Sequence, residues 1–290
     1  MAINDRRLEV TEFDFDEVKT NLKTFLKAQN QFTDYDFEGS GMNILLDVLA
    51  YNTHYLGFNA NMLANEMFLD SSSLRSSIVS HAKTLGYTPT SARASKAVVD
   101  VTLNTNSSSL TMPAGTVFNT AVDGVSYNFS TITDVTKSNT GNSIPFTNID
   151  IYEGTFITTR YSVDSSDVDQ RFLLTDNRSD TTTLTVKVQT SSSDSTTTTY
   201  TKATDITQLT ASSNVYFLQE VEAGVFEIYF GDGIIGSALS DGNIIILTYV
   251  VSNKSLANGA ALFDNAATIA AVSDISVATV AAASAGSEPE

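Results

Sequence analysis

The sequence contains no cysteine, which removes disulfides, thiolate nucleophiles and cysteine-ligated zinc together. That suits a protein made in a reducing cytosol. Basic residues are scarce: 16 lysines and arginines stand against 33 acidic residues, a formal charge of -17 over 290 residues. Acidic residues are in excess both before and after residue 90, so neither part offers the basic face that nucleic acid or an anionic membrane requires. No stretch approaches the roughly 18 apolar residues of a membrane span, and the opening MAINDRRLEV lacks the apolar core of a signal peptide. A soluble, acidic chain that binds neither nucleic acid nor membrane is expected, with enough length for two domains.

Signatures of site chemistry are few as well. The two histidines, His54 and His81, fall in helical pattern without an H-x-x-x-H partner, so packing or surface roles are expected rather than zinc ligation. No G-x-S-x-G elbow occurs, and nothing points to a pair of glycosidase carboxylates. Asp164, Asp167, Asp169 and Asp176 lack the mid-loop glycine and terminal glutamate of a calcium loop and read as a solvated acidic loop. GDGIIG, Gly231 to Gly236, matches the dinucleotide fingerprint G-x-G-x-x-G after a strand-like run. The fingerprint needs a helix next, and here SALSDG brings another turn and then the strand pattern NIIILTYVV. Gly231, Asp232, Gly233 and Gly236 are therefore read as a structural turn between strands, needing positive φ. No catalytic residue, cofactor or metal site is expected.

What the sequence does contain is a long helical pattern. Between Met42 and Leu69 apolar residues fall in two adjacent stripes: Ile44, Val48, Tyr51, Tyr55, Phe58 and Met62, and beside them Leu45, Leu49, Leu56 and Leu63. A helix apolar over so wide an arc is not a simple surface helix. Asn52 and Asn59 interrupt the second stripe, and in a bundle a polar seam residue fixes register and partner. A helix shared between chains is expected, with Ile44, Val48, Asn52, Tyr55, Asn59 and Met62 as candidate inter-subunit contacts. A third face, Asp47, Ala50, His54, Gly57, Asn61 and Ala64, is small enough for another backbone to approach. Gly39 and Gly41 punctuate the start. Asp70 and Ser71 offer an N-cap to a further helix over Leu74 to Leu85, which Gly86 and Pro89 end.

Before this helix, Ile3 to Glu12 reads as extended, and Asp14 with Glu17 makes a capping box for a first helix. Phe15, Val18, Leu22, Phe25, Leu26 and Gln29 form its apolar face, with Lys19, Lys23 and Lys27 on a solvated face. Phe32, Tyr35 and Phe37 alternate along a connector, Gln31 to Glu38, and are expected to pack under the main helix. After Pro89 the pattern changes to short β-branched runs such as AVVDVTL, TLTVKVQT and VFEIYF, parted by Ser, Thr, Asn, Asp and Gly. These argue an antiparallel β domain, sandwich or barrel-like. SSSDSTTTT, Ser191 to Thr199, is expected as an exposed hairpin tip. Residues 258–290 are alanine-rich and weakly patterned.

FEGSGMNILLDVLAYNTHY, ANEMFLDSSSLRSSIVSHAKTLGYTP, MPAGTVF followed by DGVSYNFST, and VFEIYFGDGIIGSALSDGNIIILTYV together resemble the N-terminal portion of baseplate wedge proteins of contractile-tailed bacteriophages, in the broader baseplate J-like family. The resemblance runs through most of residues 5–255 and is densest in the first 90. It implies an α+β chain: a helical core-bundle region at 1–90, a wing-like β domain at 91–257, and at 258–290 an alanine-rich connector to a C-terminal part absent from this chain. It further implies a structural role, not an enzyme, in a virion tail baseplate assembled in the host bacterial cytoplasm. The implied partners are a second copy of itself and other wedge subunits, with sheath-initiator and hub proteins as further neighbours. Rearrangement of such units accompanies sheath contraction.

Two other classes compete. A receptor- or glycan-binding tail module would need an exposed aromatic platform on the β loops, for which Tyr152, Phe156 and Tyr161 are the candidates, although a core role fits them better. A tail-associated hydrolase would need a catalytic constellation, and none is legible.

Overall fold

The structure, a computed structural model, describes residues 14–28, 39–167, 169–222, 224–265 and 267–290. The extended run at Ile3 to Glu12, the aromatic connector at Gln31 to Glu38, and Gln29 lie outside the described residues. The chain divides into two units, Met1–Tyr87 and Thr88–Glu290.

The first unit is helical: α1 (Phe15–Lys27), α2 (Gly41–Glu66) and α3 (Arg75–Thr84). Asp14 caps α1 as expected, but its carboxylate accepts from Asp16 N–H at 3.0 Å rather than from Glu17. Val18 is buried on this helix, whereas Phe25, expected on the same apolar face, is 65% exposed. The lysine row is not wholly solvated either, because Lys19 forms an ion pair with Asp47 of α2. The cap of α2 is Ser40, whose hydroxyl accepts from Asn43 N–H at 3.0 Å. That satisfies one of the N–H groups that the first turn of any helix leaves without an internal acceptor.

The second unit is built of strands. In chain order they are β1 (Lys96–Asn104), β2 (Ser109–Met112), β3 (Val117–Val122), β4 (Val125–Ser130), β5 (Val135–Ser138), β6 (Ser143–Glu153) and β7 (Thr155–Ser162). There follow β8 (Phe172–Leu174), β9 (Ser179–Ser191), β10 (Asp194–Lys202), β11 (Val215–Glu222), β12 (Val225–Phe230), β13 (Ile244–Val251) and β14 (Ile275–Ser284). A five-stranded sheet runs β14-β1-β6-β4-β3, a seven-stranded sheet runs β7-β13-β9-β10-β11-β12-β8, and β2 and β5 make a small ribbon. Each large sheet has its own core, since alternate residues of each strand point to one face. Val99, Val101, Phe118, Phe129, Phe146 and Ile151 fill the first, and Leu174, Phe226, Ile228, Ile245, Leu247 and Tyr249 the second.

The β unit is antiparallel as expected, with one exception: β10 and β11 run parallel through Thr201–Val215 and Lys202–Tyr216. The polar tip is shorter than SSSDSTTTT suggests: β9 and β10 pair from Ser191–Asp194 onward, and most of the threonines are exposed strand residues, where β-branching favours the extended backbone. The alanine-rich stretch holds β14, which pairs antiparallel with β1 from Lys96–Ser284 to Leu103–Ile275. Its alanines favour helix and its valines strand, so the local signals oppose each other and the neighbouring strand settles the matter.

The chain passes from one sheet to the other at Glu153 and Gly154. Glu153 is fully buried and accepts from Asn253 twice, from the backbone N–H and from Nδ2, both at 2.8 Å. Burial pushes its carboxyl above the usual range, against the opposing pull of those two bonds and of Arg178. Nearby, buried Asp180 accepts from Ala94 N–H at 2.8 Å and from Thr182, tying β9 to the entry of β1. Buried acceptors are tolerated because they are satisfied.

Candidate subunit interface on the central helix

All six candidate contact residues of α2 are exposed within this chain. Ile44 is 59% and Val48 60% exposed, Tyr55 and Met62 are open to solvent, and Asn52 and Asn59 lie on the same outer surface. Leu45, Leu49, Leu56 and Leu63 are exposed too, so both apolar stripes face outward. The third face behaves differently from expectation. Ala50 and Gly57 are buried, as are Asn43 and Leu46, so the small residues are turned inward within this unit. The spacing of small residues identified a close-packing face, but not whether the packing was internal.

The outer face is also free of charge. Asp47 and Glu66 are the only charged residues on α2, and each is engaged within the unit. Tyr51 and Tyr55, one turn apart, join by their hydroxyls at 3.1 Å with ring centroids 4.7 Å apart, and this bond raises the Tyr51 hydroxyl pKa. A long helix surface that is apolar and uncharged loses little on desolvation and gains from every apolar group it covers.

Glu66 has a role the sequence did not reveal. Asp70 and Ser71 do not cap α3; Leu74 is the cap residue and makes no side-chain cap bond. Glu66 instead reaches across the turn, accepting from Ser73 N–H at 2.9 Å, Ser73 Oγ at 2.7 Å and Leu74 N–H at 3.2 Å. His81, from α3, places Nε2 2.9 Å from the Glu66 carbonyl oxygen, a packing role rather than a metal-binding one. No sequence rule marks an acceptor seven or eight residues before the groups it caps.

Donors from Ser77, then Ser73, lower the Glu66 pKa from 4.5 to about 2. A carboxylate depressed in the folded state contributes stability that is fully present above its unfolded value and lost as pH falls through the folded one. We expect the Ser73 and Leu74 amide resonances to titrate with a midpoint near the bottom of that window, and the titration to vanish in Glu66→Gln. A midpoint at the ordinary carboxylate value would remove Glu66 from this role.

The glycine turn is structural in detail. Asp232 Oδ1 accepts from Ile234 and Ile235 N–H, both at 2.9 Å, and Gly233 N–H donates to Gly236 O at 3.0 Å. Positive φ occurs at Gly233 and Gly236, but not at Gly231 or Asp232. Gly231 is needed for a different reason: a Cβ there would lie 2.4 Å from the Gly236 backbone. The turn does not close a hairpin, since β12 pairs with β11 and β8 while β13 pairs with β7 and β9.

The remaining candidates disperse. Asp164 accepts from Ser166, Asp167 from Asp169 N–H, and Asp176 binds Arg178, so their oxygens serve the local turns. Among the described residues no cluster of three potential metal ligands forms. Tyr152 lies under Lys96, Phe156 stands against Gly115, and Tyr161 packs on Phe172 while donating to Leu173 O at 2.7 Å. They share no platform.

Comparison with known proteins bears on the helical unit first. Residues 14–87 match the family model of the helical domain of gp6-like baseplate wedge proteins. Over 283 residues, 91% of the chain, it is 30% identical to the baseplate wedge protein gp6 of Enterobacteria phage T4, and it spans 42% of that relative's length. A chain in the cryo-EM structure of the anti-feeding prophage (AFP) baseplate, 6-fold symmetrised, aligns over 94% of this chain and 48% of its own length. Identity there is 14% and the TM-score 0.27, too low to carry an argument. Residues 14–87 are thus similar to the helical domain of gp6-like baseplate wedge proteins, and nearly the whole chain aligns with the baseplate wedge protein gp6 of phage T4, of whose length it spans less than half.

Proposed function

We propose that this chain is a structural component of a phage contractile-tail baseplate wedge. Its α2 face makes helical-bundle contacts between subunits around the tail hub, and the β unit is a wing-like domain. The observation that carries the reading is the uncharged apolar face of α2, exposed in the isolated chain and lying inside the segment that matches the family model. The proposed partners are a second copy of the chain and other wedge subunits, with sheath-initiator and hub proteins adjoining. In the virion the wedge transmits the rearrangement that accompanies sheath contraction. Its role is structural rather than enzymatic, and assembly takes place in the host cytoplasm.

Tagged chain recovered from infected cells should bring down other baseplate proteins, identified by mass spectrometry. Recovery of cellular metabolic enzymes alone would count against the proposal. At finer grain, replacing both Asn52 and Asn59 with leucine should tighten helix association and broaden its stoichiometry, because the seam no longer penalises wrong registers. Native mass spectrometry of the co-expressed complex reads this out. A complex of unchanged composition and stability removes these asparagines from the seam.

A further inference from the structure

A carboxylate taken out of water needs a cation bonded to it or else a proton. Glu153, where β6 gives way to β7 and the chain leaves one sheet for the other, has neutral donors instead. Its Oε2 accepts from the Asn253 backbone N–H and its Oε1 from Asn253 Nδ2, both at 2.8 Å. Its own N–H is fixed to Ser95 O at 2.8 Å, and the strands of this chain shut its side chain from water.

The charges on the elements packed around it are bonded to one another. Arg178 is bound to Asp176, Lys254 to Glu288, and Lys96 to Asp150 beside Tyr152. Asp180 accepts from Ala94 and Thr182. Arg93 precedes β1, β13 brings Tyr249, and β4, paired to Glu153 through Phe129, brings Tyr127 and no charge. Burial therefore outweighs the pull of Asn253 and Arg178, and Glu153 holds a proton more readily than an exposed glutamate does.

Asn253 can serve either form of that carboxyl. A side-chain amide offers a carbonyl oxygen at one corner and an NH2 at the other, and turning it over exchanges them. Asn253 is an exposed residue, so the corner turned away from Glu153 meets water.

We propose that Glu153 and Asn253 form a proton-operated latch at the crossing of the two sheets. Ionised, Glu153 accepts from both donors of Asn253. When Oε1 takes a proton from water, the Asn253 amide turns over and its Oδ1 accepts the new O–H, while Oε2 keeps the backbone N–H. Both states bond both oxygens, but the neutral one leaves no charge in the interior, so acid tightens the crossing. The sign is opposite to that of Glu66: the stability is fully present below the unfolded carboxylate value and is lost as pH rises through the folded one. The latch lies within the β unit and does not depend on the baseplate reading.

NMR of the full-length chain, labelled with 13C at glutamate Cδ and 15N at asparagine Nδ2, tests this. The Glu153 Cδ signal, identified by its loss in Glu153→Gln, should titrate with a midpoint above the ordinary glutamate value, and the Asn253 Nδ2 signal should move with the same midpoint. Glu153→Gln is a permanent counterpart of the neutral state, because its Nε2 can donate to Asn253 Oδ1, and in it the Asn253 signal should not respond to pH. Urea unfolding should give the two proteins the same stability in acid. As pH rises through the window, the folding constant of the wild type should fall against that of the variant by up to about tenfold per pH unit. Asn253→Ala removes one donor to the ionised form, so it should move the Glu153 midpoint higher still and identifies the signal independently. A Glu153 midpoint at or below the ordinary value, an Asn253 signal that does not follow it, an unmoved midpoint in Asn253→Ala, or a Glu153→Gln chain less stable at every pH would each overturn the proposal.

Discussion

Charging the outer face of α2 with Val48→Asp and Tyr55→Asp together is expected to abolish recovery of the chain with other wedge subunits while leaving its own helix content intact. Both side chains are about half exposed or more, so the isolated unit loses little packing. In a subunit interface each new carboxylate would be removed from water without a cation nearby, as Asp47 and Glu66 are the only charges on the helix and both are committed. An uncompensated buried charge costs about 3–5 kcal/mol, which is a hundredfold or greater loss of affinity for one site alone. Co-purification from infected cells measures the loss, and circular dichroism checks the fold. Wild-type recovery of partners would place the interface elsewhere; loss of helix signal would show that the face packs within its own chain.

Gly154→Val should unfold or severely destabilise the β unit. Gly154 has φ +124°, and a Cβ there would lie 2.2 Å from Val251 O and 2.8 Å from a methyl of Val250. The backbone of β13 cannot yield without breaking its ladder to β9. Adjoining it is the Glu153–Asn253 pair, whose buried acceptor and donors would lose their geometry. Such combined damage exceeds about 4 kcal/mol, a large part of the stability of an ordinary domain. Gly141→Val is the control, because Gly141 has φ +138° with nothing within 4 Å, so it bears the backbone strain without the clash. Urea denaturation should show a much smaller loss there. Equal losses at the two sites would mean that strain, not the crossing of the two sheets, makes Gly154 necessary.

The helices were legible because a 3.6-residue period survives in sequence over many turns: α2 falls at Gly41–Glu66, within a few residues of the expected run. The exposed stripes were legible too, as apolar residues on more arc than a three-helix unit can cover. Which face turned inward was not, because Ala50 and Gly57 are equally suited to an internal neighbour and a foreign one. The cap of α3 was misassigned because capping rules look three residues away, and Glu66 acts over seven or eight.

In the β unit the sequence by itself determined that short strands fill the region and that GDGIIG is a turn, since both follow from residue-level backbone preferences. Composition also determined that acidic residues outnumber basic ones by about two to one. Only the tertiary structure decided which strands pair, that β10 and β11 run parallel, and that an alanine-rich stretch becomes the edge of a sheet. Pairing depends on contacts between residues far apart in the chain, and a single strand carries no record of its neighbour. The same reason applies to Glu153: in sequence it ends a polar-apolar alternation like any surface acid, and only the crossing of two sheets buries it against Asn253.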